Sequence, residues 1–404
     1  MKTRSVVLGE IADTCLGKML DQRKNKGEYQ PYLANVNVRW GSFDLQNLPQ
    51  MRFLKSEEER YGLKYGDILV CEGGEPGRCA IWKDQIPGMK FQKALHRVRV
   101  HEQDVDYRWL FYRFLYAKSR GEFDQYFSGM TTIKHMPGDK IVKIRIDLPE
   151  KDYQSKVGDI LSAYDDLIEN NQKQIKLLEE AAQRFYKEWF VNLRFPGYED
   201  TPIVDGIPEG WYVSNIGNLC SRVNAGGTPS RSKKNYWNNP TIKWFKTGEL
   251  QDCWLIDSDE MISQEGLDKS SAKIFPKNTI LMAIYASPTL GRLGILSSNA
   301  ACNQAALCLL ADESKVSWQW LYSKLYELRD DFNAVAKGAG QQNISADTVK
   351  KKEVIIPTKR LMDEFSSLVS PLYDKRLVLQ KQVCYLSQAR DRLLPKLMSG
   401  EIDV

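Results

Sequence analysis

Between Tyr153 and Asn192 the inward positions fall at Leu161, Tyr164, Ile168, Asn171, Ile175, Leu178, Ala182, Phe185 and Trp189, in alternating steps of three and four. A seam of that spacing predicts a long helix with a coiled-coil face. Glu169, Lys173, Lys176, Glu180 and Lys187 fill its other faces. About 40 residues at about 1.5 Å each make a rod of roughly 60 Å. Pro196-Gly197 is expected to stop it, and a linker carrying Pro202, Gly206, Pro208 and Gly210 follows. A second seam runs through Val369, Leu372, Leu379, Val383, Leu386, Leu393 and Leu397, with Arg376 and Arg390 at two of its positions. Pro371 falls inside that pattern, so this helix is expected to start or kink there. Each stripe alone would stay exposed, so the helices are expected to pair, antiparallel if a two-fold relates them. Asn171 and Arg376 are either polar seam residues that fix register or side chains turned partly to solvent.

The two seams are copies. Leu148-Pro149 to Trp189 aligns without a gap on Ile356-Pro357 to Leu397, always 208 positions on. Weaker echoes lie upstream. Gly66-Asp67-Ile68-Leu69 parallels Asn278-Thr279-Ile280-Leu281, Gly77-Arg78 parallels Gly291-Arg292, and Trp109-Leu110 parallels Trp320-Leu321. Gly129 to Ile133 parallels Gly340 to Ile344. A period this long is a duplicated domain-plus-helix and no solenoid unit. Upstream of each helix the pattern shortens to β-rich runs and turns. Ile68-Leu69-Val70-Cys71 reads as a buried strand entering the tight loop Gly73-Gly74-Glu75-Pro76-Gly77. Val98-Arg99-Val100 and Ile141 to Ile146 suit strands, and Trp109 to Leu115 suits a helix. The chain is therefore read as α+β, with two tandem α/β domains at 1–150 and 196–357, each followed by a long helix, at 151–195 and 358–404.

Composition narrows the class. Of 404 residues 42% are apolar and 10 are Trp, enough for substantial cores, and 27% charge with 11% aromatics excludes a disordered chain. The net charge of +5 permits nucleic acid as a partner without demanding it, and Arg222, Arg231, Lys233 and Lys234 make a local basic cluster. Eight cysteines without a Cys-x-x-Cys pair, beside three histidines, argue against a zinc site. Free thiols in a reducing cytosol are expected. With no apolar signal core and no run of about 18 apolar residues, the expectation is a cytoplasmic protein without a membrane span.

Catalytic signatures are missing. There is no P-loop and no Gly-x-Gly-x-x-Gly fingerprint. Ala225-Gly226-Gly227-Thr228-Pro229-Ser230 is Gly-rich, but no apolar strand is seen to deliver it, so a flexible basic loop is expected. Asn239-Pro240-Thr241-Ile242 lacks the second proline and the aromatic ring of an amino-methyltransferase motif. Asp67, Glu72 and Glu75 cluster after one strand, but Thr279 replaces Asp67 in the second copy and no acids follow it, so loop carboxylates are expected. Cys71 and His96, a conceivable nucleophile pair, face Ala283 and Cys308 in the repeat.

The helical blocks carry a resemblance. Asn170-Asn171-Gln172-Lys173-Gln174-Ile175-Lys176-Leu177-Leu178-Glu179 with Phe185-Tyr186-Lys187-Glu188-Trp189-Phe190-Val191, and Leu393-Leu394-Pro395-Lys396-Leu397-Met398-Ser399-Gly400-Glu401-Ile402, resemble the central and distal regions of type I restriction-modification specificity subunits. Phe195-Pro196-Gly197-Tyr198-Glu199 and Ile207-Pro208-Glu209-Gly210-Trp211 fit that family's lead into its second recognition domain. The resemblance spans the whole chain. It implies two tandem target recognition domains separated by two long antiparallel coiled-coil helices, a pseudo-two-fold internal repeat, each domain reading half of a bipartite, asymmetric sequence in double-stranded DNA. It further implies docking of two modification (methyltransferase) subunits and of restriction subunits. S-adenosylmethionine would sit in the modification subunits, with no cofactor, metal or catalysis in this chain. The rivals are a stand-alone restriction or modifying enzyme and a coiled-coil scaffold that binds only protein.

Candidate DNA contacts are polar residues at equivalent loop positions of the two copies, since Arg, Lys, Asn, Gln, Ser and Thr read bases and phosphates. One loop gives Ser128, Thr131, Thr132, Lys134 and His135, opposite Gln341, Gln342, Asn343 and Ser345; contact with DNA and capping of the next segment both suit it. The post-strand loop gives Arg78 opposite Arg292, with Tyr285 and Ser287. Lys93 stands opposite Gln304, and Asn37, Arg39, Lys246, Thr247 and Glu249 complete the set. Trp82, Trp109, Trp244 and Trp320 are expected in the core.

Overall fold

The computed structural model describes residues 2–21, 25–127, 134–285, 289–338 and 343–404. The chain divides into two units, Met1–Ile168 with Tyr385–Val404, and Glu169–Cys384. Each unit is a head of mixed sheet and helix plus a stretch of both long helices, Lys151–Tyr186 and Lys359–Ser399.

In the first unit the head's central sheet is antiparallel, in the order Ala12–Leu16, Leu95–Val100, Ile68–Cys71, Cys79–Ile81. Ile68–Cys71 is buried throughout, as its unbroken apolar run requires. A three-stranded sheet sets Glu28–Leu33 antiparallel to Gln50–Phe53 and parallel to Lys90–Phe91. Thr3–Val7 pairs with Arg145–Pro149, the strand that leads into the first long helix. The second unit repeats this plan. Its central sheet runs Cys220–Ala225, Ala306–Ala311, Ile280–Ala283, Leu293–Leu296, with Cys253–Leu255 added in parallel at the edge. Ile242–Phe245 lies antiparallel to Glu260–Ile262 and parallel to Ala301–Cys302, and Tyr212–Asn215 pairs with Glu353–Ile356. One helix packs on each central sheet, Tyr107–Ser119 capped by Asp106 and Trp318–Glu327 capped by Ser317. Trp82, Trp109, Trp244 and Trp320 are all buried.

The two long helices pair antiparallel within each unit. In the first, Tyr153 Oη donates to the Leu397 carbonyl at 2.7 Å and Asp165 binds Arg390. In the second, Asn171 Nδ2 donates to Gln382 Oε1 at 3.2 Å, and Glu179 lies 3.4 Å from Arg376. Partners descend along one helix as they ascend the other. Asn171 and Arg376 are both buried seam residues, though each meets a different partner.

Four expectations need correction. The seam slips near its end: Phe185 is 37% exposed and Tyr186 only 2%. A helix of 3.6 residues per turn drifts against a strict 3.5 repeat, and at Tyr186 the head's Trp320 joins Phe365 of the partner helix as the packing surface. The α-helix then ends at Tyr186 and passes into a π-turn, Lys187–Val191, before Pro196 is reached. The second helix runs unbroken from Lys359 to Ser399, so it does not start at Pro371. Ile141 to Ile146 is not one strand, because Gly138–Ile141 is a helical turn and the strand begins at Arg145. Ile141, Ile144 and Ile146 are buried, a spacing of three and then two that serves turn and strand in succession.

Arg376 is the costliest side chain of the pair. It is 1% exposed, donates from Nη2 to the Asp252 carbonyl at 2.9 Å, and keeps Nε and Nη1 without a partner among the described residues. Burial pushes the neighbouring Glu179 carboxyl above its ordinary range even with this cation beside it. Removing one member of such a pair strands the other, a loss of about 3–5 kcal/mol, whereas replacing both with apolar side chains is near neutral. Arg376→Ala is therefore expected to lower urea stability by that amount and the double variant Arg376→Met with Glu179→Leu to restore most of it. Tyr186→Ala should cost about 3–5 kcal/mol and Phe185→Ala well under half of that in the same titration; equal losses would return Phe185 to the seam.

Candidate nucleic-acid interface

In both heads the loop after the central strand lies beside the segment that precedes the last short helix. In the first head the Met136 amide donates to the Glu72 carbonyl at 2.7 Å, and in the second the Ile344 amide donates to Ile284 at 3.0 Å. Met136 and Ile344 are buried and 208 apart, the offset of the helices. The anchor equivalent to Ile344 is thus Met136, while residues 129–133 and 340–342 of the echo lie outside the described residues. His135 and Asn343, one residue before these anchors, are exposed. His135 stands over Gly73, where a Cβ would come 3.0 Å from its Nδ1, and Asn343 bridges to Tyr285.

The first head's loop is tied down by its own polar groups. Asn35 Nδ2 donates to the Gly73 carbonyl at 2.8 Å, and Arg78 Nη2 donates to the Asn35 carbonyl at 3.0 Å. Arg78 also lies 3.5 Å from Glu75, which accepts from Trp40 Nε1 at 2.9 Å and faces Lys118 at 3.4 Å. The Trp40 indole and the Lys118 ammonium hold the Glu75 carboxyl below its ordinary range. Asp67, at the end of the turn before Ile68–Cys71, is a buried carboxylate that binds Arg99 through both oxygens at 2.7 Å. Burial pushes the Cys71 thiol up to about 11 and the His96 imidazole down, so neither is primed as nucleophile or base. Among the described residues no cluster of ligand side chains could hold a metal ion.

Several candidates turn out to build the turns that carry others. Asn37 is buried, accepts from the Ala34 amide at 2.9 Å and donates to the Asp44 carbonyl at 3.0 Å. Glu249 does the same work in the second head, accepting from the Lys246 amide at 2.7 Å and the Asp259 amide at 3.0 Å. Ser345 caps the helix Ala346–Lys351. Arg292 donates to Gln251 at 3.2 Å, Arg39 faces Asp44 at 3.6 Å, and Thr247 sits half-buried in its turn. Lys93 and Gln304 are exposed, and Gln304 bonds Thr228. Lys134 is exposed, 4.0 Å from Asp124. Ser128, Thr131, Thr132, Ser287, Gln341 and Gln342 lie outside the described residues.

The Gly-rich stretch is the clearest surprise. A strand does deliver it, Cys220–Ala225, whose half-exposed residues hide it from a search for apolar runs. Its glycines are packing residues: a Cβ on Gly226 would fall 2.3 Å from the Cys302 carbonyl oxygen, and one on Gly227 2.1 Å from that of Ser271. Beyond them Arg231 lies 3.7 Å from the centroid of the Trp237 ring and binds Glu260. Lys246 reaches the same carboxylate at 2.9 Å. Sequence reasoning passed over Arg231 as one of a basic run; the signal was an aromatic six residues on.

Two segments, residues 3–180 and 208–374, match the family model described as the type I restriction modification DNA specificity domain. The MjaIX type I restriction enzyme specificity subunit of Methanocaldococcus jannaschii is 29% identical over 349 residues, 84% of this chain and 78% of that protein. The HindI specificity subunit of Haemophilus influenzae is 23% identical, over 67% of this chain and 72% of its own. In fold the chain is similar to the crystal structure of a type I restriction-modification S subunit from M. genitalium, with a TM-score of 0.62 at 15% identity over 98% of this chain and 99% of that one. With both heads and the first part of the helix that follows each of them matched, the chain belongs to the type I restriction-modification DNA specificity family, the non-catalytic, sequence-recognising subunits of these systems.

Proposed function

We propose that this DNA-recognition subunit reads a bipartite, asymmetric target, one half with each head. The observation that carries this is a common scaffold with unlike surfaces. Strand order, capping turns and loop anchors recur in both heads, while the exposed positions diverge: His135 against Asn343, Lys93 against Gln304. Identical heads would read a palindrome; unlike heads read two different half-sites. Two readers on one face of a duplex need half-sites about 34–36 Å apart or a multiple of that.

The helices also supply docking surface. Leu167, Leu177, Phe185, Leu368, Val378 and Tyr385 leave apolar area exposed on their outer faces, which suits two modification subunits and, with them, restriction subunits. S-adenosylmethionine would belong to the modification subunits, and this chain would contribute no cofactor-binding residue. No helix among the described residues is long and apolar enough to cross a membrane.

Methylome sequencing of cells expressing the chain with its modification subunit is expected to show a two-part methylated motif that vanishes without the chain. Absence of such a motif, with the modification subunit active on another specificity chain, would refute the reading. DNA affinity of the complex should fall steeply between about 50 and 200 mM salt as phosphate contacts release counterions. Asn37→Ala should leave that slope unchanged while costing about 1 kcal/mol of stability, as loss of a cap does.

A further inference from the structure

The second head carries a group of charged side chains that its scaffold does not need. Trp244 pairs with Ala301 as Tyr32 pairs with Lys90 in the first head, and Gly227 and Lys18 donate to the equivalent Cys302 and Phe91 carbonyls. On that register Lys246 falls on Ala34. Glu260, which faces Trp244, falls on Pro49, which faces Tyr32. The first head folds with neither charge, so Lys246 and Glu260 are free to serve something other than the fold.

What they serve is Arg231, which is 55% exposed yet held on two sides. Its guanidinium lies over the Trp237 ring at 3.7 Å and within 5.3 Å of the Trp244 ring. Trp237 is itself fixed, donating to the Ser230 carbonyl at 3.2 Å and meeting buried Trp244 edge-on at 5.3 Å. Trp244 is rooted by a 2.9 Å bond to the Gly227 carbonyl. From Nη1 the guanidinium donates to Glu260 Oε2, while Lys246 holds the other carboxylate oxygen. The Nε and Nη2 donors have no partner among the described residues, a parallel pair with a fixed direction. Stacking on an aromatic face and a carboxylate on one nitrogen remove the freedom that a surface arginine otherwise loses on binding. Two parallel N–H donors match the O6 and N7 acceptors of guanine in the major groove.

We propose that Arg231 is a base-reading residue of the second head, presented by Trp237 and Glu260 to a guanine edge in the major groove. This rests on the reading that each head reads one half of the target.

The test uses the complex of the chain with its modification subunit, and duplexes built from the motif that the wild type methylates. With Arg231→Ala and Arg231→Lys, preference for one G·C pair in one half should fall roughly 5- to 140-fold, the range of a bidentate contact. Every position of the other half should keep its preference. Trp237→Leu, which removes only the positioning, should relax the same base pair. Three results would overturn the proposal: an unchanged motif in Arg231→Ala, equal weakening on all sequences with a salt slope lower by about one, or loss of preference in both halves together. A wild type that methylates no two-part motif would instead remove the reading beneath it.

Discussion

Each head shares its hydrophobic core with the helix pair, and the rest of the structure depends on that continuity. In the first unit Tyr153, Val157 and Leu161 from one helix and Leu397 and Met398 from the other lie in the same buried cluster as Trp109, Leu110, Phe114 and Ile146. In the second, Ala182, Tyr186, Phe365, Val369 and Tyr373 lie among Trp320, Leu321, Ile295 and Leu309. At roughly 1.5–3 kcal/mol for each large side chain fully buried, no head can swing on its helices without exposing several such residues. A reading surface gains fixed orientation this way without a rigid linker. The polar members follow the same logic, since Arg376 reaches the Asp252 carbonyl in the head and Glu179 on the opposite helix.

That double duty explains what the sequence could and could not disclose. Spacing of three and four exposed the seam, the 208-residue repeat exposed the duplication, and the tryptophans read correctly as core. The slip from Phe185 to Tyr186 was hidden because there the head's Trp320 packs on the seam beside the partner helix's Phe365, and helical spacing carries no sign of the added partner. Gly129–Ile133 and Gly340–Ile344 share a glycine and an isoleucine, whereas the true anchors Met136 and Ile344 differ in type. Hydrogen-bond equivalence is a property of backbone position and leaves no trace in residue identity.

The candidate site divides along a similar line. Asn37 and Glu249 looked like readers because amides and carboxylates in loops recognise bases, yet both spend their polar atoms on the turn beneath them. Arg231 looked like one charge among several, and only the fold brings Trp237 and Glu260 to it. A duplicated chain offers its own control. Whatever both heads retain at equivalent positions is scaffold, and a polar group present in one head alone is free to discriminate.

The division of the first unit between the two ends of the chain has a consequence for synthesis. Its head and first helix leave the ribosome early, but Leu397 and Met398, which close the core around Leu161, are made 236 and 237 residues later. At about 5–20 residues per second that gap is roughly 12 to 47 s. Throughout it the nascent first unit presents an open apolar seam, while the second unit, contiguous from Glu169 to Cys384, finishes first. The order of translation is thus the reverse of the order of completion, and a nascent-chain chaperone has its longest task on the half made first.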